Sequence, residues 1–330
     1  MKQFYLLFLL KISFGFSQTV IPPTDLATYY NGITFSTSNT NLFNDLATTT
    51  IGSHTTFLMY SERHNYLYNA DTSTSDSSNV TLIYSGEIRP DNQWLSSSNP
   101  NSTQTYNTEH VYPRSLLGSG TAEADLHLLR VCDIAVNTSR GNDPFIDGSG
   151  NYFSSNNEFF PGDDWRGDVA RIILYVHLRY NEPFSDVGSL NLFLDWNAAD
   201  PVINNGIEDN RNTVISAAQG NRNPFIDNPY LATLIWGGTP AQNRWSVLST
   251  DDFRQENIKI YPNPASGNDI TINTNKDLTI EVYDILGKKV QTSHLTSNIK
   301  KLDISGLKTG IYLLRLKTES GTITKKLIRQ

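Results

Sequence analysis

The sequence predicts an α+β module followed by a small all-β sandwich. The first observation is a split in charge. Residues 18–257 contain twelve Arg, no Lys and 27 acidic residues, a net charge of −15, whereas residues 258–330 contain ten Lys, two Arg and six acidic residues, a net charge of +6. The second is a change of pattern, because helical and strand signals are mixed before residue 250 and only alternating strands follow residue 257.

The composition bounds the classes of protein that are possible. A chain of 330 residues with 38% hydrophobic residues is long enough for about two domains with their own cores. A single cysteine, Cys132, excludes an internal disulfide framework and a multi-cysteine zinc site, and we expect it to be a small buried residue. Beyond the N-terminus the sequence has no apolar run of about 18 residues, so we expect no membrane-spanning helix in the mature protein.

The N-terminus has the pattern of a secretory signal peptide. Lys2 precedes a short apolar run at 4–10, and Gly15 and Ser17 are small residues at the −3 and −1 positions of a cut before Gln18. An N-terminal buried helix is the alternative. We expect residues 1–17 to be removed and the mature protein to leave the cytoplasm.

The acidic module contains several helix candidates. They cover residues 39–50, part of 116–129, 132–137, 168–180 and 208–219. The clearest is 168–180, since its apolar residues recur at helical spacing on one face and Asp168 lies in the favoured first turn. We expect this segment to be a core helix, with His177 a packed or surface residue rather than a ligand.

The chemistry is concentrated between residues 108 and 145. Glu109 and His110 precede Pro113, which indicates a short extended segment that ends in a loop. A neutral imidazole can accept a proton from water near pH 7, and a carboxylate oxygen is a ligand that Mg²⁺ and Ca²⁺ prefer. Adjacent residues of a strand point to opposite faces, so both can serve one site only where the strand ends or bends.

A second strand is predicted at 125–129, followed by a helix that carries Asn137 and Arg140. The amide oxygen of Asn137 is a neutral hard ligand, and Arg140 lies three residues further on, on the same helical face. This order of strand, loop, strand and helix would gather a base, a metal ion and an Arg. Hydrolysis of a phosphodiester needs these three parts.

Several runs of this region resemble the bacterial endonuclease I family of secreted ββα-metal nucleases, which includes DNases and RNases. They are TEHVYPRS, ADLHLLRVCDIAVNTSRGNDPF, GDVARIILYV and NRNPFIDNP, with weaker similarity at 29–32 and 82–86. The resemblance covers nearly all of the region before residue 240. It implies a ββα-metal nuclease core with surrounding helices, and a secreted, sequence-nonspecific endonuclease that cuts DNA, RNA or both and leaves a 5′ phosphate.

The resemblance also implies roles for individual residues. His110 matches the general base, and Glu109 and Asn137 match the ligands of a divalent ion, Mg²⁺ or else Ca²⁺ or Mn²⁺. An Arg holds the phosphate in the family; Arg140 and Arg114 are the candidates, and either could instead form a structural salt bridge. His127 matches a supporting position in the second strand, where a hydrogen bond to a residue that binds the metal ion or a purely structural role is expected.

The basic C-terminal segment predicts a compact sandwich of about seventy residues. Its alternating strands lie at 270–273, 278–283, 310–317 and 322–328. The runs YPNP, VYDILGKKV, LDISGLKTGIYLLRL and KKLIRQ resemble the C-terminal sorting domain of the type IX secretion system; an ordinary β-module that binds sugar or protein is the alternative. The expected organisation is a signal peptide at 1–17, a nuclease domain at 18–250, a linker at 251–257 and a sorting domain at 258–330.

The expected partners are a nucleic-acid substrate and the type IX machinery, for a monomer without stable membrane insertion. The acidic charge of the nuclease module predicts weak, salt-sensitive binding in an Arg-lined groove. A zinc protease is excluded because no HExxH occurs. The remaining alternative is a secreted binding or adhesion protein with an inactive nuclease-like fold, against which the intact set of Glu109, His110 and Asn137 argues.

Two other features have structural explanations. The DPFID run at 143–147 and the NPFID run at 223–227 could mark a duplicated site, but turns that bury their Phe and Ile side chains explain them more simply. A polar cluster could pair charges internally or line a nucleic-acid groove, and internal pairing is slightly favoured. Its members are Glu208, Arg211, Asn212 and Arg222.

Overall fold

Two compact units make up the chain, with a boundary between Val247 and Leu248. The computed structural model describes residues 19–248, 258–273, 277–296, 301–318 and 321–330. The predicted signal peptide and the predicted linker lie outside these residues. No helix of the described ranges combines the length and the apolar character that a membrane span requires.

The first unit mixes helices with short paired strands, as the α+β prediction requires. Its strands are β1 Thr19–Ile21, β2 Asn79–Thr81, β3 Ile88–Pro90, β4 Tyr106–His110, β5 Leu129–Asp133, β6 Phe153–Ser155, β7 Glu158–Phe160 and β8 Ser246–Leu248. They pair as β1 with β8, β2 with β3, β4 with β5 and β6 with β7. Its α-helices are α1 Leu42–Ser53, α2 Leu67–Ala70, α3 Ile134–Arg140, α4 Arg166–Tyr180, α5 Leu190–Ala199, α6 Ile207–Gln219, α7 Pro224–Asp227 and α8 Tyr230–Trp236. Short 3₁₀ turns cover Tyr60–Asn65, Arg114–Leu116, Ala122–Ala124 and Phe184–Asp186.

The helix predicted within 116–129 is wrong. Only the two 3₁₀ turns at Arg114–Leu116 and Ala122–Ala124 form there. Gly118 and Gly120 lie between the two turns and lower the helix propensity of this segment. The Glu182 carboxylate accepts hydrogen bonds from the backbone N–H groups of Gly118, at 2.8 Å, and Ser119, at 3.3 Å, so the loop has partners without a helix.

The strand predicted at 125–129 is also displaced, because β5 begins only at Leu129. Residues 125–128 form a turn in which the backbone N–H of Leu128 donates to the carbonyl of Asp125 at 3.0 Å. The Asp125 carboxylate accepts the N–H of His127 at 2.9 Å. A side chain that bonds its own backbone two residues on favours a turn over a ladder.

The predicted core helix is confirmed as α4. Val169, Ile173 and Val176 are buried in the main hydrophobic cluster of the first unit. The helix ends at Asn181, whose left-handed φ of 58° is a backbone conformation that Asn tolerates. His177 packs its ring against Phe184, with ring centroids 4.2 Å apart, and is therefore a packed residue, as expected.

Charged residues are buried beside this core, in pairs. Arg130 contacts Asp71 at 2.9 Å and Asp168 at 2.7 Å, and Arg171 contacts Glu208 at 2.6 Å. Arg211 pairs with Asp71, and Arg222 pairs with Asp227 at 2.7 Å. The predicted internal pairing of the Glu208 cluster is confirmed. Buried charges are tolerated when partners and hydrogen bonds compensate for the water they lose.

The Asp–Pro and Asn–Pro runs bury their aromatic residues, as predicted. Phe145 and Phe225 are both in the main cluster. Asn223 accepts the N–H of Phe225 at 3.0 Å and so caps α7, in which Pro224 occupies the first turn. Cys132 is buried, as expected.

The second unit is a β-sandwich. Its strands are β9 Lys259–Tyr261, β10 Asp269–Asn273, β11 Leu278–Asp284, β12 Lys289–Leu295, β13 Lys301–Asp303, β14 Gly310–Thr318 and β15 Gly321–Arg329. One sheet has the order β13-β10-β9 and the other the order β12-β11-β14-β15. Alternate residues of each sheet, such as Ile272, Val282 and Leu314, form a hydrophobic core of their own. The predicted all-β sandwich is confirmed.

Candidate active site

The predicted order of strand, loop, strand and helix is confirmed in β4, β5 and α3. The antiparallel register of β4 and β5 places Glu109 opposite Arg130 and His110 opposite Leu129. α3 follows β5 without a loop because the Asp133 carboxylate accepts the N–H groups of Ala135 and Val136, at 2.8 and 3.0 Å. This cap fixes where the helix starts and hence which side chains face β4.

Glu109 is a buried carboxylate with incomplete compensation of its charge. Its exposed fraction is 3%. Oε1 accepts the Tyr84 hydroxyl at 2.8 Å and lies 3.4 Å from Nε of Arg140. Burial raises the pKa of this carboxyl, and Arg140 opposes that rise. A further cation close to Glu109 would stabilise the carboxylate form.

His110 is held in one tautomer by the backbone. Its Nε2 lies 3.0 Å from the carbonyl oxygen of Glu123, and because a carbonyl can only accept, Nε2 carries the proton. Nδ1 is then the basic nitrogen of the neutral ring. Burial lowers the pKa of His110 to about 4, so the ring is neutral at pH 7. The ring also stacks on Tyr60, with centroids 5.4 Å apart.

Asn137 connects α3 to the strand that carries Glu109 and His110. Its Nδ2 donates to Oδ1 of Asn107 at 2.7 Å and to the carbonyl oxygen of Thr108 at 3.2 Å. Since the Thr108 carbonyl can only accept, the amide nitrogen must face it. The orientation of the amide is therefore set, and Oδ1 is the atom of this side chain that can bind a cation. The contact with Thr108 places Asn137 beside the residue that precedes Glu109.

The two candidate Arg residues have different surroundings. Arg140 is fully buried, and it donates to the carbonyl oxygens of Val111 and Gly141, each at 2.8 Å. Its guanidinium supports Glu109 and the start of the loop after β4. Arg114 is 61% exposed at its side chain, and it pairs with Glu123 at 2.7 Å. Of the two, only Arg114 has a guanidinium that an approaching phosphate can contact directly.

His127 lies in the turn before β5 and contacts another part of the protein. Its Nε2 is 3.2 Å from the carbonyl oxygen of Asn221, and its ring packs against Tyr175 with centroids 4.6 Å apart. Burial lowers its pKa to about 4. These contacts favour the structural role among the two roles expected for it.

Comparison with known proteins identifies the first unit. The Endonuclease I family model matches residues 34–230. The chain belongs to the Endonuclease I family. It is accordingly a nuclease.

Two extracellular ribonucleases are similar to this family member. That of Bacillus amyloliquefaciens is 35% identical over 246 residues, 67% of this chain and 82% of that protein. That of Bacillus subtilis (strain 168) is 33% identical over 241 residues, 65% of this chain and 80% of that protein. The model of a secretion-system C-terminal sorting domain matches residues 259–330. The protein is therefore exported by type IX secretion.

Endonuclease I proteins generally depend on a divalent metal ion. Glu109 and Asn137 could hold such an ion, because both offer hard oxygen atoms and, among the described residues, the cation that pairs with the Glu109 carboxylate is Arg140, at 3.4 Å. Within the described ranges, no three His, Cys, Asp or Glu side chains form a cluster able to hold a metal.

Three residues of this Endonuclease I site were missed by sequence reasoning. Tyr84 bonds Glu109, Tyr60 stacks on His110, and Arg63 lies 3.7 Å above the Tyr60 ring with Nε 2.9 Å from the Thr108 hydroxyl. Tyr84 is part of the weaker stretch of resemblance at 82–86. The mixing of basic and aromatic residues in 60–68 was the available signal for the other two.

Proposed function

We propose that this protein is a divalent-metal-dependent, sequence-nonspecific endonuclease that hydrolyses phosphodiester bonds of RNA and DNA outside the cell. The observation that carries the proposal is the contact between α3 and β4, the strand of Glu109 and His110, through Asn137 and the Thr108 carbonyl. The two relatives named extracellular ribonucleases support RNA as a substrate.

His110 is the proposed general base. A water molecule attacks the phosphorus and gives its proton to the unprotonated Nδ1, while the bond between phosphorus and the 3′ oxygen breaks. The products are a 5′ phosphate and a 3′ hydroxyl, whose proton comes from solvent. The Glu123 carbonyl holds Nε2–H, so the ring presents its basic nitrogen without having to change tautomer.

Glu109 and Asn137 are the proposed ligands of the ion, with Mg²⁺ first and Ca²⁺ or Mn²⁺ as the other candidates. When bound, the ion supplies positive charge to the phosphate oxygens and the departing 3′ oxygen. Tyr84 and Arg140 hold the Glu109 carboxylate in place. We assign Arg140 this positioning role because its guanidinium is buried, and we assign contact with the substrate phosphate to Arg114.

The remaining parts of the chain serve export. We propose that residues 1–17 are a signal peptide, that 18–250 form the nuclease domain and that 251–257 link it to the sorting domain at 258–330. The sorting domain binds the type IX machinery, and the mature nuclease acts as a monomer without insertion in a membrane. The net charge of +6 of residues 258–330 distinguishes this domain from the acidic nuclease.

Replacement of the general base tests the mechanism. His110→Ala should lower the turnover number on structured RNA and on plasmid DNA by about 10²- to 10⁴-fold, the usual contribution of a positioned base. Binding of the same RNA, measured by fluorescence anisotropy in a chelator, should change little. His294→Ala, on the exposed face of β12, is the matched control.

The metal requirement is tested in the same assay. Chelation should abolish cutting by the parent protein, and Mg²⁺, Ca²⁺ and Mn²⁺ added back one at a time should show which ion restores it. If His110→Ala cut at the parent rate, the assignment of the base would be wrong. If the parent protein still cut nucleic acid in the chelator, Glu109 and Asn137 would not be ligands of a required metal ion.

A further inference from the structure

Two exposed apolar residues come just before the tyrosine whose ring packs on the proposed general base. Phe57 and Met59 are 57% and 66% exposed, and they immediately precede Tyr60, whose ring stacks on His110. Single exposed apolar residues are common on proteins, but here two large ones adjoin a site that binds a substrate. We call the row Phe57, Met59 and Tyr60 the aromatic ledge.

The ledge has several contacts with the rest of the first unit. The Phe57 ring lies parallel to the ring of His54, with centroids 4.5 Å apart and an interplanar angle of 14°, and His54 is itself buried. The backbone N–H of Met59 donates to the Glu62 carboxylate at 2.7 Å. The backbone N–H groups of Thr55 and Thr56 both donate to the carbonyl of Gln219, at 3.0 and 3.2 Å. One face of the Phe57 ring is thereby covered by His54, and the ring is presented in a fixed plane.

Two Arg side chains lie beside Tyr60, the last residue of the ledge. The Arg63 guanidinium lies 3.7 Å from the centre of the Tyr60 ring, and that of Arg114 lies 5.6 Å from it. Arg63 uses Nε for the Thr108 hydroxyl and Nη1 for the carbonyl of Tyr60, two of the five donors of a guanidinium. Positive charge therefore lies beside Tyr60, three residues after the exposed Phe57 ring. Positive charge together with an exposed aromatic ring is the combination that binds single-stranded nucleic acid through its phosphates and its bases.

We propose that the aromatic ledge stacks the unpaired bases of a single strand and so directs that strand to His110. The inference rests on the proposed nuclease function and adds to it a preference for unpaired nucleotides over paired ones. Bases within a duplex already stack on their neighbours, so only an unpaired base can offer a face to Phe57. Stacking tolerates every base, which suits an enzyme without sequence preference.

The charge of the nuclease module gives a physical reason for such a surface. Residues 18–257 carry a net charge of −15, so diffuse attraction does not favour a polyanion. Stacking does not depend on net charge, and it can supply affinity that an acidic protein lacks. The two flanking Arg residues then act locally on the phosphates of the stacked strand.

Binding in a chelator tests the ledge separately from catalysis. The probes are a fluorescent single-stranded RNA of about twelve nucleotides, the DNA strand of the same sequence and the matched duplex of each. Phe57→Ala should weaken binding of both single strands about tenfold, the usual effect of losing one base stack. Binding of the duplexes should change less than twofold. Phe57→Trp should retain affinity, and Phe57→Leu, which keeps apolar bulk without an aromatic face, should not.

Ile203→Ala is the matched control, because Ile203 is also a large exposed apolar residue of the first unit, at 76%. The inference would be overturned if Phe57→Ala and Ile203→Ala lost equal affinity for single strands. It would also be overturned if Phe57→Ala lost equal affinity for single strands and duplexes. Loss of affinity for only RNA or only DNA would support the ledge and identify which strand it serves.

Cleavage assays separate the two proposals. Phe57→Ala should raise KM for single strands and leave kcat within about twofold, since the ledge does not touch the reacting atoms. If the parent protein cuts nucleic acid but Phe57→Ala has unchanged single-strand affinity, the ledge is refuted and the nuclease proposal stands. If the parent cuts no nucleic acid and single-strand affinity still depends on Phe57, the nuclease proposal fails instead.

Discussion

Burial fixes the charge of His127, and this has a consequence for stability. The side chain is 2% exposed, and desolvation lowers its pKa to about 4, whereas an unfolded chain has a value near 6.5. The unfolded chain therefore binds a proton at a higher pH than the folded protein does. The stability contributed by the neutral ring is complete above about pH 6.5 and is lost as the pH falls toward 4.

His127→Gln should make the unfolding free energy depend less on pH. An amide can still donate to the Asn221 carbonyl but does not titrate, so the loss of unfolding free energy between pH 7 and 4.5 should shrink by about 2 kcal/mol. Urea unfolding followed by Trp fluorescence is suitable, because all five Trp residues precede residue 246 and report on the first unit. His294→Gln controls for loss of an imidazole elsewhere. If the unfolding free energy of His127→Gln fell between pH 7 and 4.5 by as much as that of the parent protein, the role assigned to burial would be contradicted.

At the scale of single residues, the sequence suggested candidates for the site but did not predict what surrounds them. Glu109, His110 and Asn137 were proposed from their types and their resemblance to a family, and the structure shows what lies around them. The burial of Arg140 could not be predicted, because it depends on carbonyl partners at 111 and 141 whose positions only the folded loop defines. Tyr84 reaches Glu109 from 25 residues away, a distance at which spacing in the sequence carries no signal.

At the scale of elements, α3 depends on its N-cap residue, Asp133. Asp133 accepts two backbone N–H groups and also pairs with Arg89 at 2.8 Å. Asp133→Ala should lower the unfolding free energy by about 1–2 kcal/mol, as loss of a cap usually does. Because α3 carries Asn137, turnover should fall as well. Urea unfolding and RNA cleavage measure the two effects.

Two variants separate the cap from general destabilisation. Asp133→Asn keeps an oxygen that can cap the helix, so it should lose less stability than the Ala variant. Ser189→Ala removes the cap of α5, where Ser189 accepts the N–H of Leu192 at 3.3 Å, and should reduce stability without reducing turnover. If Ser189→Ala impaired cleavage as much as Asp133→Ala, the link between the cap of α3 and the site would be refuted.

The sequence predicted elements where periodicity or capping is strong. α4 and α6 were found within two residues of their observed starts, because apolar spacing specifies a helix locally. The segment 116–129 was not, since a carboxylate from Glu182 and the side chain of Asp125 decide its turns. The 3₁₀ turn Tyr60–Asn65, which places Tyr60 on His110, has no periodic pattern and was not predicted.

At the scale of the molecule, the distribution of charge reflects two different uses of Arg. Arg130, Arg171 and Arg211 are buried in pairs with carboxylates and hold the first unit together. Arg63 and Arg114 lie beside Tyr60, where a substrate can reach them. The net negative charge of the nuclease thus coexists with two Arg side chains beside the proposed base, of which Arg114 also pairs with Glu123. Composition alone gives only the net charge of the module. The sequence therefore predicted an Arg-lined groove without indicating where it lies.

The two units should also unfold and function separately. Among the residues whose burial the structure describes, the hydrophobic clusters of the first unit extend to Trp245, and that of the second unit begins at Ile258. A protease site placed within 251–257 of the full chain, and cut after folding, should therefore leave kcat on RNA within about twofold. Calorimetry should show two transitions before and after the cut, and Trp fluorescence should follow only one of them, because the second unit contains no Trp. A single shared transition before the cut, or loss of turnover after it, would show that the sorting domain stabilises the nuclease, and the proposed division of the chain would then be wrong.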